Sequence, residues 1–137
     1  MDYKNNEFDK WNNQKKIIEL QENYNKSNFY PGEGEVWMCI VGKNIGYEQN
    51  GSGEYFIRPV IILKKFNNKM FWIISLSSKQ KDLDFYYNFQ DNAKNNVSII
   101  LSQMRLISIK RLKRKMYDLN KVDFLNVKLK IIKLLIS

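Results

Sequence analysis

The sequence predicts a mainly β fold carrying a helix at each end, an α+β class. Three observations lead there. Between Val36 and Ile109 short runs rich in Val, Ile, Phe, Tyr and Trp recur, separated by Gly, Asn, Asp and Ser. Residues 8–25 and 120–136 instead carry apolar side chains at helical spacing, with no Gly or Pro inside either stretch. With 137 residues and a hydrophobic fraction of 44%, the chain is long enough for one core of ordinary size.

From Phe8 to about Asn25, Trp11, Ile17, Ile18, Leu20 and Tyr24 form a partial apolar face, and Pro31-Gly32 ends the pattern. Residues 1–30 are therefore expected to be an accessory helix and linker, and residues 31–137 the body. Strands are expected over Val36–Val41, Val60–Lys65, Met70–Leu76, Phe85–Phe89, Val97–Leu101 and Arg105–Ile109, with the last two forming one curved path around Gln103. Asn67-Asn68 marks a hairpin turn. Phe71-Trp72-Ile73-Ile74 reads as a strand buried on both faces. A short turn or helix over Lys110–Arg114 and a short strand near Met116–Leu119 follow. Asn120 is an N-cap candidate with Asp123 placing negative charge in the first turn. The helix it opens has Val122, Leu125, Leu129 and Ile132 along one apolar face, widened by Phe124, Val127, Ile131, Leu134 and Leu135. A face that wide points to core, with subunit contact as the other use.

Composition removes whole classes of chemistry. The chain has no histidine and one cysteine, so histidine bases, Ser-His-Asp triads and His- or Cys-ligated zinc are excluded. No P-loop or GxGxxG pattern is present. Cys39, inside a strand, reads as a small buried hydrophobe. The polar start argues against a signal peptide, and no apolar run reaches the ~20 residues that span a bilayer. A cytoplasmic protein without membrane association or cofactor is expected. The net charge is +9, and residues 1–30 carry five basic and five acidic side chains, so all of the excess lies in the body. Such a basic body suits a nucleic acid or an acidic protein partner.

The longest loop joins the first two strands. It runs from Gly42 to Ile57, contains four glycines, and ends at Arg58-Pro59. Loops of that length are usually functional or disordered. Proline biases Arg58 to an extended backbone, and a guanidinium can grip a phosphate with two parallel hydrogen bonds. Ser77 and Ser78 end the third strand, where hydroxyls serve either a phosphate or a turn. Glu48 and Gln49 sit between the loop glycines.

Taken in order, these segments resemble a family. Gly34-Glu35-Val36-Trp37, Gly46-Tyr47-Glu48-Gln49, Arg58-Pro59-Val60-Ile61-Ile62-Leu63, Leu76-Ser77-Ser78 and Leu101-Ser102-Gln103-Met104-Arg105-Leu106-Ile107 are similar to the motifs of MazF/PemK-type toxins of toxin–antitoxin systems. The match covers residues 32–137. The resemblance implies an SH3-like, plasmid-toxin-type twisted β-barrel with a C-terminal helix, the N-terminal helix being an extension. It implies a homodimer, a metal-independent endoribonuclease cutting single-stranded RNA, and an acidic antitoxin partner. Under it Arg58 corresponds to the catalytic arginine, Ser77 to its strand-end partner and Glu48 to a loop glutamate tied to activity. Gln49, Tyr55, Ser78, Lys79 and Gln103 are the expected RNA contacts, and Tyr47, Tyr55 and Phe56 could stack on bases. Where some members carry a histidine and an Arg-x-Asp pair, this chain has Ile100 and Ser102. Two other readings stay open: a noncatalytic toxin on the same fold that binds a protein such as DNA gyrase, and a general RNA-binding module.

Overall fold

The computed structural model describes residues 3–20, 30–42 and 57–137. Among them are helix α1 (Tyr3–Leu20), strands β1 (Glu35–Ile40), β2 (Ile57–Lys65), β3 (Met70–Ser77), β4 (Tyr86–Gln90), β5 (Asn96–Ser108) and β6 (Leu112–Asp118), and helix α2 (Lys121–Ile136). A 3₁₀ turn, Ile109–Arg111, joins β5 to β6. The strands form one antiparallel sheet in the order β4-β5-β3-β2-β1-β6.

The expected α+β class, with a helix at each end, is what the chain adopts. Closure of the barrel is the point of difference. The end strands β4 and β6 do not pair, so the sheet is open. Curvature enters through ladder irregularities. The register slips between Ile74 and Leu76 on β3, where β5 bends through residues 100–103, and twice more along β1. The two runs expected at Val97–Leu101 and Arg105–Ile109 are thus one long bent strand, as the curved path around Gln103 implied. The final strand starts at Leu112 rather than near Met116.

Two apolar clusters sandwich the middle of the sheet. Trp37, Cys39, Val60, Ile62, Phe71 and Ile73 face one side, closed by Ile107, Ile109 and Leu112 from the bend into β6. Val36, Ile61, Ile74, Leu76, Phe89 and Ile99 face the other, closed by Val127 with Phe124 and Ile131 of α2. Strand alternation assigns neighbours to opposite faces, so Val60, Ile61 and Ile62 are all wholly buried. The expectation for β3 holds in part. Phe71 and Ile73–Leu76 are buried, but Trp72 is 42% exposed and takes no part in the cluster that α2 closes. Trp72 packs edge-on against Phe66 instead.

Capping and turn residues act as their chemistry suggests. Asn120 Oδ1 accepts from the amides of Val122 (2.8 Å) and Asp123 (3.4 Å). Asn67 Oδ1 accepts from Lys69 and Met70, shaping the β2–β3 hairpin. The Gly34-Glu35-Val36-Trp37 segment proves structural. Glu35 accepts from the Gly32 amide and the Trp37 indole, both at 2.9 Å, and pairs with Lys115 on β6. Gly34 has φ +86° and the Phe124 ring lies on it, a conformation and a closeness that suit glycine.

Helix α2 turns a different face inward from the one expected. Val127, Phe124 and Ile131 meet the core, Tyr87 donates to Asp123 (2.6 Å), and Lys130 donates to the Tyr86 carbonyl (2.7 Å). Val122, Leu125, Leu129 and Ile132 point away, each more than half exposed. The helix carries two apolar stripes, and the shorter one fits between Phe89 and Leu119.

Helix α1 docks through Trp11 and Ile18, which join Ile40 and Ile57 in a third cluster. The Trp11 indole lies on the backbone of Gly42, where an added Cβ would stand 2.2 Å from the ring. Gly42 also has φ +82°. Gly42→Ala therefore meets both a clash and backbone strain. It should lower unfolding free energy by about 1–3 kcal/mol in a denaturant titration.

Cys39 supplies a second test. Burial pushes its thiol from an ordinary 9.0 up to about 12, while the nearby Arg111 and Arg105 pull it the other way. A thiol whose folded pKa is raised adds stability that is complete below pH 9 and is lost as pH rises toward 12, because the unfolded chain releases its proton first. Unfolding free energy should fall across that window, and Cys39→Ala should flatten the slope. A thiol reagent such as DTNB should react with the wild-type protein only in denaturant.

Candidate functional site

Arg58 is the second residue of β2, paired with Cys39 of β1 and two residues before the wholly buried run. Pro59 follows it and faces Met38 across the ladder. The arginine therefore stands on a central strand anchored from both faces, rather than on a loop. Its Nη1 donates to the carbonyl of Leu76 on β3 at 3.2 Å. Partial burial pulls its pKa below the ordinary value, yet a guanidinium remains a cation at neutral pH. Removing water around the charge strengthens its pull on an incoming anion.

That hydrogen bond brings Arg58 to the strand end carrying Ser77 and Ser78. The Ser77 hydroxyl oxygen accepts from the Lys79 amide at 3.1 Å, so the turn expected of a serine here does form. A hydroxyl also has a proton to donate, so the turn fixes the oxygen and leaves the O–H for another acceptor. The Lys79 carbonyl accepts from Ser98 of β5 at 2.7 Å, which ties the turn to the next strand. Ser78 and Lys79 are exposed beside it.

Gln103 lies half-buried where β5 bends, two residues before Arg105 and so on the same side of the strand. Arg105 Nη1 donates to the carbonyl of Val41, at the end of β1, at 3.1 Å. Arg111 stacks its guanidinium carbon 5.3 Å from the Trp11 ring centre. Both act electrostatically on Cys39, the residue paired with Arg58. Arg105 and Arg111 thus gather around one end of β1, and Arg58 stands on the strand paired with it. Sequence reasoning named only Arg58. Arg105 stood within the quoted motif beside Gln103, and Arg111 within the short turn or helix expected over Lys110–Arg114, which were their signals. Glu48, Gln49 and Tyr55, with Tyr47 and Phe56, lie outside the described residues.

Beside the strand end a cavity of about 490 Å³ opens in the gap of the unclosed sheet. Pro59, Leu76, Ser77 and Ser78 form one side of it, and Tyr117 of β6 and Asp91 of the β4–β5 turn stand among the residues opposite. A smaller cavity of about 230 Å³ is lined by Arg105 and Arg111 with Met70 and Leu106. Among the described residues no group of three acidic, cysteine or histidine side chains could hold a metal ion. No described helix is long and apolar enough to cross a membrane. A half-buried cation beside a strand-end hydroxyl is suited to binding an anionic, oxygen-rich group and to stabilising charge that grows on it.

Known structures share this fold. MazF (Form-I) from Deinococcus radiodurans superposes with a TM-score of 0.65 at 15% identity, over 80% of this chain and all of that one. A MazE-MazF structure (Form-II) from the same organism gives 0.59 at 13% identity, over 79% and 97%. The Mycobacterium tuberculosis toxin MazF-mt6 gives 0.55 at 12% identity, over 72% and 93%. At such identities the likeness is one of fold. No curated protein sequence matches the chain. The sequence itself, over residues 33–135, matches the family profile of the PemK-like, MazF-like toxin of type II toxin-antitoxin systems. The matched stretch holds every strand, Arg58, Ser77 and nearly all of α2, and the chain belongs to that family of toxins.

Proposed function

We propose that the toxin acts as a metal-independent endoribonuclease on single-stranded RNA, cutting messages in the cytoplasm and so halting translation and growth. The observation that carries this reading is Arg58, half-buried on a central strand and held 3.2 Å from the carbonyl of Leu76, the residue before Ser77. RNA brings its own nucleophile. Its 2′-oxygen attacks the adjacent phosphorus, and the 5′-oxygen of the next nucleotide leaves, giving a 2′,3′-cyclic phosphate and a 5′-hydroxyl. The protein needs to align the attack, stabilise the phosphorane and move protons. Arg58 binds the non-bridging oxygens and neutralises the added charge. Ser77 donates its hydroxyl proton to a phosphate oxygen while its own oxygen is fixed by Lys79. Glu48 is proposed to take the 2′-hydroxyl proton. Gln49, Tyr55, Ser78, Lys79 and Gln103 are proposed to contact the RNA, Gln103 from the bend of β5. DNA lacks the 2′-hydroxyl and is not cut. Residues 31–137 are the nuclease body and residues 1–30 an accessory element.

An acidic antitoxin is the proposed protein partner. The basic body suits such a segment, and a chain of this fold occurs with MazE in the Deinococcus radiodurans structure. The protein is further proposed to be a homodimer that covers the outer stripe of α2. Val122, Leu125, Leu129, Ile132 and Ile136 recur every three or four residues along that stripe and are 52–79% exposed. Lys128 and Lys133 flank it, so two copies would cross at an angle that keeps these ammonium groups apart.

Purified protein with chelator should cut a long single-stranded RNA and leave cyclic phosphate ends. Arg58→Ala should cost about 10²–10³-fold in rate, the range for losing one transition-state donor. RNA left intact by the wild type, or a rate untouched by Arg58→Ala, would refute the reading. Leu125→Asp with Leu129→Asp should convert a dimer to a monomer in sedimentation equilibrium; an unchanged mass would exclude α2 as the contact.

A further inference from the structure

The cavity in the unclosed sheet shares Ser77 and Ser78 with the chemistry above, but the rest of its lining differs from that of the arginine site. Pro59, Leu76 and Met116 give it apolar walls, and among the described residues its lining holds no cation. Its one charge is the carboxylate of Asp91. A phosphate would be repelled from the part that Asp91 lines. A flat, uncharged ring with hydrogen-bonding edges would fit: its faces would meet the apolar walls, and about 490 Å³ lies within the range of ordinary ligand pockets.

Among the polar groups of the lining, which include the amides of Asn95 and Asn96, the carboxylate of Asp91 is acceptor-only and so favours a donor edge. Asp91 Oδ1 accepts from the amides of Ala93 (3.0 Å) and Asn95 (2.9 Å), and Oδ2 accepts from Asn95 Nδ2 at 3.4 Å. An ionised carboxylate has about four acceptor sites. These turn contacts thus hold Asp91 in place and leave room on Oδ2 for one more donor. Tyr117 also lines the cavity, and burial of its phenol, reinforced by the Asp91 charge, pushes it to about 12, so its proton stays on. Ser78 adds a second hydroxyl. The wall is shared with the arginine site, since Arg58 is bonded to Leu76 and precedes Pro59.

We propose that this cavity is the base-reading subsite of the toxin. It would hold the base next to the scissile phosphate and select one bearing an exocyclic amino group, adenine, cytosine or guanine, over uracil. The amino group donates to Asp91 Oδ2, Tyr117 and Ser78 pair with the remaining edge, and Met116 and Pro59 cover the ring. The cut site is then set by two adjoining regions of opposite character: cationic for the backbone, anionic and apolar for one base. This rests on the endoribonuclease reading above.

The test uses fluorescein-labelled RNA heptamers carrying each of the four bases at each position. Cleavage is followed on plain RNA, and binding by anisotropy on 2′-fluoro versions that cannot be cut. One position beside the cut should disfavour uracil by about tenfold or more, the scale of a good base-edge contact. Asp91→Asn keeps an acceptor for the turn amides but presents a donor to the cavity, so the disfavour of uracil should vanish or invert. Tyr117→Phe keeps the ring and should weaken the discrimination without changing the melting temperature. Discrimination that both variants retain, or binding with no base preference, overturns the proposal. Binding with this preference but no cleavage by the wild type supports the cavity and refutes the nuclease reading. Cleavage with a preference that neither substitution moves does the reverse.

Discussion

Three consecutive residues of β2, Val60, Ile61 and Ile62, are wholly buried, and much of the molecule is arranged around that constraint. Successive strand side chains point to opposite faces, so such a run needs apolar cover on both sides at once. An open antiparallel sheet ordinarily leaves one face to water. Here the strands bend at the β5 irregularity so that Ile107, Ile109 and Leu112 close one side, while α2 closes the other with Val127. Arg58 and Pro59 sit immediately upstream. A guanidinium on so confined a strand has less freedom to lose on binding than one on a loop, which is the condition for preorganised electrostatic stabilisation.

The same demand explains what the chain did and did not disclose as a sequence. Apolar runs, the Asn67 turn and the Asn120 cap depend on local geometry, and each was legible. The inward face of α2 was not. Both of its stripes are apolar at helical spacing, and the choice between them is made by what lies opposite, the space between Phe89 and Leu119. Trp72 misled for a related reason, since two-sided burial depends on what covers each face. Closure is another long-range property: an SH3-like barrel and an open sheet have the same strands, and only the unpaired edges of β4 and β6 separate them. At the site, motif order set Arg58 on the strand beside β3, where it reaches the Leu76 carbonyl. The turn over Lys110–Arg114 was legible as well, but not that it would carry Arg111 to the Trp11 ring.

Two expected site features also exchanged significance. The Gly34-to-Trp37 motif is a structural node in which Glu35 collects the Gly32 amide, the Trp37 indole and the Lys115 ammonium. Ser77, whose simpler reading was a turn, satisfies that reading without losing its donor. A strand-end hydroxyl can serve both roles because accepting and donating use different parts of the group.

Helix α1 lies outside the stretch that matches the family, yet it is joined to the parts of the body that matter most for the site. Trp11 rests on Gly42, just before segment 43–56, and packs with Ile57, just after it and one residue before Arg58. Its ring also receives the Arg111 guanidinium. One indole therefore braces both ends of the segment that carries Glu48 and orders one of the two arginines at the end of β1. Fixing two ends of a chain removes closure entropy from everything between them. An extension that makes these contacts holds the two points where segment 43–56 leaves and re-enters the body.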